Sequence, residues 1–184
     1  MQLQRSLFQF SRTPASDPNV ITCVKNLGPS VAFVFEKVEL ISMLEVTEVI
    51  ETVLHVRDVD RAEGWYQKLF GFPVIFRESD RFRALKVGGV QVLLLFKEGS
   101  TKTATTLPGG VIPPHDGSGA MHLAFGMKTE DADHWEQHLI ANGVAIESRV
   151  QWKKDDKSIY FRDPDNHLVE LITSEHWSSQ GVNR

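Results

Sequence analysis

The sequence predicts an α+β domain in which one βαβββ module is used twice. Three observations carry this: each half opens on a β-branched, apolar run, an amphipathic helical pattern follows it, and three short strand-like runs come after. That order, repeated, marks a duplication.

In the first half, residues 49–56 (VIETVLHV) have the composition of a strand. In RDVDRAEGWYQKLFGF, Asp58 or Asp60 can cap a helix. Ala62, Trp65, Tyr66 and Leu69 form its apolar stripe, and Gly71 stands just past its end. Strands are expected at 73–77, 81–87 and 90–96, with Gly88-Gly89 turning the chain between the last two.

In the second half, residues 121–127 (MHLAFGM) form a strand, Thr129 or Asp131 caps a helix through ADHWEQHLIAN, and Gly143 ends it. Strands at 144–149, 158–162 and 168–173 complete the module, with Asp163-Pro164-Asp165-Asn166 as a turn. The expected organisation is an N-terminal extension, 1–46, either disordered or an overlong start. A two-module domain, 47–176, and a tail, 177–184, follow. Module one is 47–97, the linker 98–119 and module two 120–176. The linker is rich in Gly, Pro, Ser and Thr and long for a compact domain, as lids, binding loops and swap hinges are; a passive connector is the alternative.

Composition narrows the function classes. With a net charge of −4 and no long basic run, nucleic acid is not an expected partner. No run approaches the roughly 20 apolar residues that cross a bilayer, so no membrane partner is expected. The single cysteine, Cys23, rules out an internal disulfide and fits a reducing, cytoplasmic setting.

The stretches ETVLHVRDVDRAEGWYQKLFGF, HLAFGM and YFRDPDNHLVELIT resemble the glyoxalase/bleomycin-resistance/dioxygenase group, the vicinal oxygen chelate (VOC) superfamily, over about residues 47–176. The resemblance implies a curved, partly open mixed β-barrel with helices outside. It also implies inward-facing metal ligands on the first and last strands of each module. Carried over residue by residue, these are Glu51, His122 and Glu170. The remaining position, a glutamate in glyoxalase I enzymes, falls on Leu93. The resemblance further implies a divalent metal (Zn, Ni, Mn, Fe or Mg), Glu170 or Glu51 doubling as catalytic base, and a homodimer, sometimes with swapped modules.

Elementary chemistry permits such a triad. Alternate strand residues share a face, so side chains from several strands converge. One imidazole and two carboxylates suit a divalent ion and leave positions open for water and substrate. Taken singly, a glutamate at a strand start is usually a surface residue and a lone strand histidine is usually structural.

Other residues are candidates for substrate binding. His55 shares a strand face with Glu51 and can bind substrate, act as acid or base, or reach the metal. His115, in PPHDGSG, can close over a ligand or simply be solvated. Ser158 and Tyr160 share a face, in a stretch resembling fosfomycin-resistance thiol transferases, where a Ser and a Tyr contact the drug. In those enzymes the first ligand is a His, a Thr follows it by two, and an Arg lies beyond the final Glu. Glu51, Val53 and Ser179 stand there in this chain, which counts against fosfomycin modification.

His134 and His138 are spaced i,i+4, but H-W-E-Q-H is not the H-E-x-x-H zinc motif, so they are read as a solvated helix face. His167, beside the Asp-Pro turn, is read as a surface residue.

The function expected from these residues is a metal-dependent lyase or isomerase acting on a small oxygenated substrate, with dioxygenation ranked below it. The alternative is a metal-free binding protein of bleomycin-resistance type. A dimerisation scaffold ranks last, because it leaves the convergent polar residues unexplained.

Overall fold

The computed structural model describes residues 8–11, 20–25, 36–39, 46–153, 155–173 and 175–178. The chain divides into two compact units, Met1–Glu48 and Val49–Arg184. The first contains strands β1 (Phe8–Ser11), β2 (Val20–Lys25) and β3 (Glu36–Glu39), antiparallel and in that order. Sequence reasoning gave this stretch no element. The rest of the extension, and Ser179 in the tail, lie outside the described residues.

The second unit holds the duplication. Module one comprises β4 (Glu51–Val56), α1 (Val59–Phe70), β5 (Val74–Glu78), β6 (Phe82–Val87) and β7 (Gln91–Lys97), with sheet order β4-β7-β6-β5. Between the modules, β8 (Thr105–Leu107) and β9 (Gly110–Ile112) form a two-stranded hairpin. Module two comprises β10 (His122–Met127), α2 (Ala132–Ala141), β11 (Ile146–Gln151), β12 (Lys157–Arg162) and β13 (Leu168–Thr173), ordered β10-β13-β12-β11. A short helix, α3 (Glu175–Ser178), follows. In both modules the first and last strands pair in parallel and the others antiparallel. Two separate mixed sheets result, with no closed barrel.

Local chemistry explains the helix ends. Asp58 is the cap of α1, its carboxylate accepting from the N–H groups of Asp60 and Arg61. Gly71 ends the helix at φ 68°, where an L side chain would be strained. Helix α2 departs from expectation. Neither Thr129 nor Asp131 caps it with a side chain; a 3-10 turn, Thr129–Asp131, leads into it, and the Thr129 hydroxyl donates to Glu175 instead. The hairpin within the linker also went unforeseen, because three-residue strands are too short to show a period.

Each sheet buries one face. Leu54, Val56, Leu93 and Leu95 pack beneath Val59, Ala62 and Tyr66 of α1, with Leu123 and Phe125 of module two against the same cluster. Ile159, Phe161, Val169 and Leu171 pack with Leu139 of α2 and with Leu69 of α1. Phe70 is the aromatic pivot between the modules, with ring centroids 5.1 Å from Phe125 and 5.8 Å from Trp135. The helix-bearing faces thus form the common core.

A buried polar network pins the modules together. His167 is 1% exposed, which corrects the expectation of a surface residue. Its Nδ1 accepts from the Met121 N–H (3.0 Å), so Nε2 carries the proton and donates to the His55 carbonyl (3.0 Å). Tyr66 donates to Asp163 (3.0 Å), whose other oxygen accepts from the N–H groups of Asp165 and His167. Burial raises the Asp163 carboxyl above its ordinary range, and burial followed by the Asp163 charge raises Tyr66. Asn166, at φ 73°, closes this turn in a left-handed conformation that asparagine tolerates better than most residues.

Candidate metal centre and ligand hollow

Corresponding positions in the two modules follow from one repeated backbone bond. The Val92 N–H donates to the Ile50 carbonyl as the Leu168 N–H donates to the Met121 carbonyl. Glu51 therefore corresponds to His122, and Leu94 to Glu170. Leu94 pairs with Val53 as Glu170 pairs with Ala124. The fourth ligand position thus falls on Leu94, not Leu93. Leu93 lies on the other face, 1% exposed in the core of module one. Misplacing a strand position by one residue flips its side chain to the opposite face.

On the open face of module two, His122 and Glu170 meet. His122 Nε2 lies 3.1 Å from Glu170 Oε2, and Nδ1 lies 3.2 Å from the Leu168 carbonyl. A carbonyl only accepts, so Nδ1 carries the proton. In a neutral ring, Nε2 then presents a lone pair to a carboxylate oxygen. Two acceptors at this distance need a cation or a second ring proton between them. The carboxylate is also enclosed, with Glu170 5% exposed, which makes uncompensated charge costly. The pair therefore fits two ligands of a divalent metal.

Tyr160 fixes the other carboxylate oxygen, donating to Glu170 Oε1 at 2.9 Å. Burial and then this hydrogen bond raise the phenol above its ordinary pKa, so it stays protonated as a donor. Behind it, the Ser158 hydroxyl accepts from Trp152 Nε1 at 2.8 Å and offsets part of the rise in the Tyr160 pKa. Ser158 is fully buried, so its influence passes through Tyr160.

Glu51 does not join this cluster. Among the described residues no group of three His, Cys, Asp or Glu gathers in metal-binding fashion within the chain. Glu51 instead edges a separate hollow on the open face of module one. That hollow has a volume of about 520 Å³, and Val53, Phe82, Leu94, Phe96 and His115 are among its walls. Thr105, Leu107 and Ile112 from the linker hairpin complete them, so the linker is folded onto module one as a cover.

The neck of that cover is latched. Thr101 donates to Asp116 (2.9 Å), the Gly99 N–H also donates to Asp116, and His55 Nε2 lies 3.2 Å from the Thr101 hydroxyl. A Cβ on Gly117 would sit 3.0 Å from His55 Nδ1, so this glycine permits the close approach. Burial lowers the His55 pKa, with the Asp116 charge opposing it. Burial alone would raise Asp116, but hydrogen bonds from Thr101 and Gly99 outweigh it and bring that carboxyl below its ordinary range. His115 packs its ring edge against Phe96 (5.1 Å) and lies 6.1 Å from His55. His138, by contrast, bonds the Leu69 carbonyl through Nε2 (2.9 Å), as a helix-packing residue would.

The chain belongs to the Glyoxalase/Bleomycin resistance protein/Dioxygenase superfamily, whose model matches residues 49–171. It is similar to a metallothiol transferase, FosB, of Staphylococcus epidermidis, 49% identical over 53 residues, or 28% of this chain and 37% of that protein. The match to that relative thus spans little more than a third of its length. A crystal structure of lactoylglutathione lyase from Agrobacterium tumefaciens superposes with a TM-score of 0.65 at 28% identity, covering 72% of this chain and 97% of that one. A FosX variant from Listeria monocytogenes, complexed with Mn(II) and 1S,2S-dihydroxypropylphosphonic acid, superposes at 0.54 and 21% identity, covering 75% and 100%. At that identity it shows the shared fold alone. Among the described residues, no helix is long and apolar enough to cross a membrane.

Proposed function

We propose that this chain is a divalent-metal-dependent enzyme of the lyase or isomerase type, acting on a small oxygenated substrate. The observation that carries the reading is the His122–Glu170 pair, an imidazole Nε2 lying 3.1 Å from an oxygen of an enclosed carboxylate on the open face of module two. The relative named for metallothiol transfer lends it support.

His122 and Glu170 would hold the metal as one imidazole and one carboxylate. A bound ion of this kind supplies Lewis acidity toward neighbouring substrate oxygens. Tyr160 keeps Glu170 oriented and keeps its own proton, with Ser158 and Trp152 behind it. Glu51 or Glu170 accepts the substrate proton. His55 holds the cover in place, and His115 contacts the substrate from the cover.

Glu51 is the third ligand in this reading, and it comes from a second copy. Its hollow and the His122–Glu170 face belong to different modules of one chain and do not meet. A two-fold homodimer that sets module one of each copy against module two of the other would bring them together.

Metal content of the purified protein tests this directly. About one ion per chain is expected, with loss in His122→Ala and in Glu170→Ala. Mixing Glu51→Ala with Glu170→Ala and reassembling the dimers should restore tight sites to roughly a quarter of the total, because one site in each mixed dimer is intact. A protein that takes up no divalent ion, and whose ligand affinity ignores these variants, would be a metal-free binder.

A further inference from the structure

We propose that the module-one hollow receives the body of the substrate, and that this body is an uncharged ring or branched apolar group rather than a phosphonate or other strong anion. This names the substrate class of the site proposed above and rests on that reading.

The walls set the class. Phe82 and Phe96 are stacked at 4.5 Å with 20° between their planes. His115 stands edge-on to Phe96 at 79°. Val53, Leu94 and Ile112 fill out an apolar lining. A volume of about 520 Å³ falls within the range of small-molecule sites and holds one or two fused rings. Aromatic walls favour stacked or edge-on ring partners.

The charges narrow it further. Among the described residues, Arg81 is the one arginine or lysine lining the hollow, and its guanidinium is already engaged. It donates to Glu78 (3.0 Å), to the Thr105 hydroxyl (3.0 Å) and toward the Ser100 carbonyl (3.4 Å), and lies 5.8 Å from the Phe96 ring centre. Glu51 and Glu78 both border the same space. An incoming phosphonate would meet two carboxylates and one guanidinium with three of its five N–H donors in use. Like-charge approach of this kind selects against anions. A neutral ring loses nothing there and gains the apolar wall. The cover adds selectivity: Leu107 and Ile112 close the hollow with aliphatic surface, and the same hairpin supplies Thr105, which occupies Arg81.

Isothermal titration of the full chain with 1-naphthol, a neutral bicyclic ring, and with methylphosphonate tests the proposal. Each is run with and without Mn²⁺. Saturable binding of 1-naphthol at one site per chain is expected with or without metal, and methylphosphonate should bind at least tenfold more weakly, a gap of about 1.4 kcal/mol. Phe96→Leu, and Ile112→Ser on the exposed cover as a variant that spares the core, should each weaken 1-naphthol severalfold while leaving metal content unchanged. Glu170→Ala should lose metal and keep 1-naphthol. Methylphosphonate binding as well as 1-naphthol, or 1-naphthol binding indifferent to both hollow variants, overturns the substrate class and leaves the metal reading standing. Naphthol binding as expected in a protein that never takes up metal overturns the metal reading and leaves the hollow standing.

Discussion

His167 and His55 are joined through the wall between the two modules: the ring Nε2 of one donates to the backbone carbonyl of the other at 3.0 Å. The same ring accepts from Met121, the residue before His122. One buried imidazole thus ties the strand carrying Glu51 and His55 to the strand carrying a proposed metal ligand.

Removing that ring should be costly. His167→Ala leaves a buried N–H and a buried carbonyl without partners and opens a cavity, a loss of about 2–4 kcal/mol. Urea unfolding gives the value. A change under 1 kcal/mol would show that water replaces the ring without loss.

Tyr160→Phe removes the hydrogen bond that fixes Glu170 Oε1 and leaves the packing in place. Groups that orient a metal ligand in this way are worth about 10–100-fold in metal affinity. A loss of roughly tenfold in Zn²⁺ or Mn²⁺ affinity is expected from competition with a chelator, with thermal stability of the metal-free protein within about 1 kcal/mol of the native chain.

Leu93 and Leu94 give a paired test of the register. Leu93→Glu places a carboxylate inside the module-one core and should cost more than about 3 kcal/mol or abolish folding. Leu94→Glu faces the hollow beside Glu51, so it should fold and bind divalent metal more tightly than the native chain. Circular dichroism and metal titration separate the two. Equal damage from both would refute the facing assigned here.

The His55 latch predicts a pH effect with a definite sign. Burial holds its folded pKa below the ordinary 6.5, while Asp116 and Glu98 oppose that shift and His115 and His167 add to it. The unfolded chain therefore binds the proton more readily, and stability present above pH 6.5 is lost as the pH falls toward the folded value. Melting temperatures of the native chain and His55→Gln, compared from pH 7.5 to 5.5, should show the native advantage shrinking. An advantage that grows on acidification would mean the Asp116 pairing dominates.

Much of this was legible in the sequence because periodicity and turn chemistry are local. VIETVLHV, a cap at Asp58 or Asp60, Gly71 and the Asp163–Asn166 turn each announce themselves within a few residues, and all eight module strands form near their expected places. The facing of Leu93 and Leu94 was not legible, since a continuous apolar run, VLLLF, has no alternation to fix its register. Nor was the burial of His167, which depends on two backbone groups 46 and 112 residues away. The separation of Glu51 from His122 and Glu170 was hidden for a related reason. A ligand motif says which side chains face inward but not which module meets which.

The latched neck of the linker has an evolutionary consequence. Its two ends are held side by side by Thr101, Asp116 and the His115 N–H, independently of the hairpin between them. Residues 102–114 are thus a cassette whose attachment points stay fixed whatever it contains. Descendants of this gene could exchange that cassette, by short insertions or recombination, and reshape the hollow it covers while the proposed His122–Glu170 centre passes through unchanged.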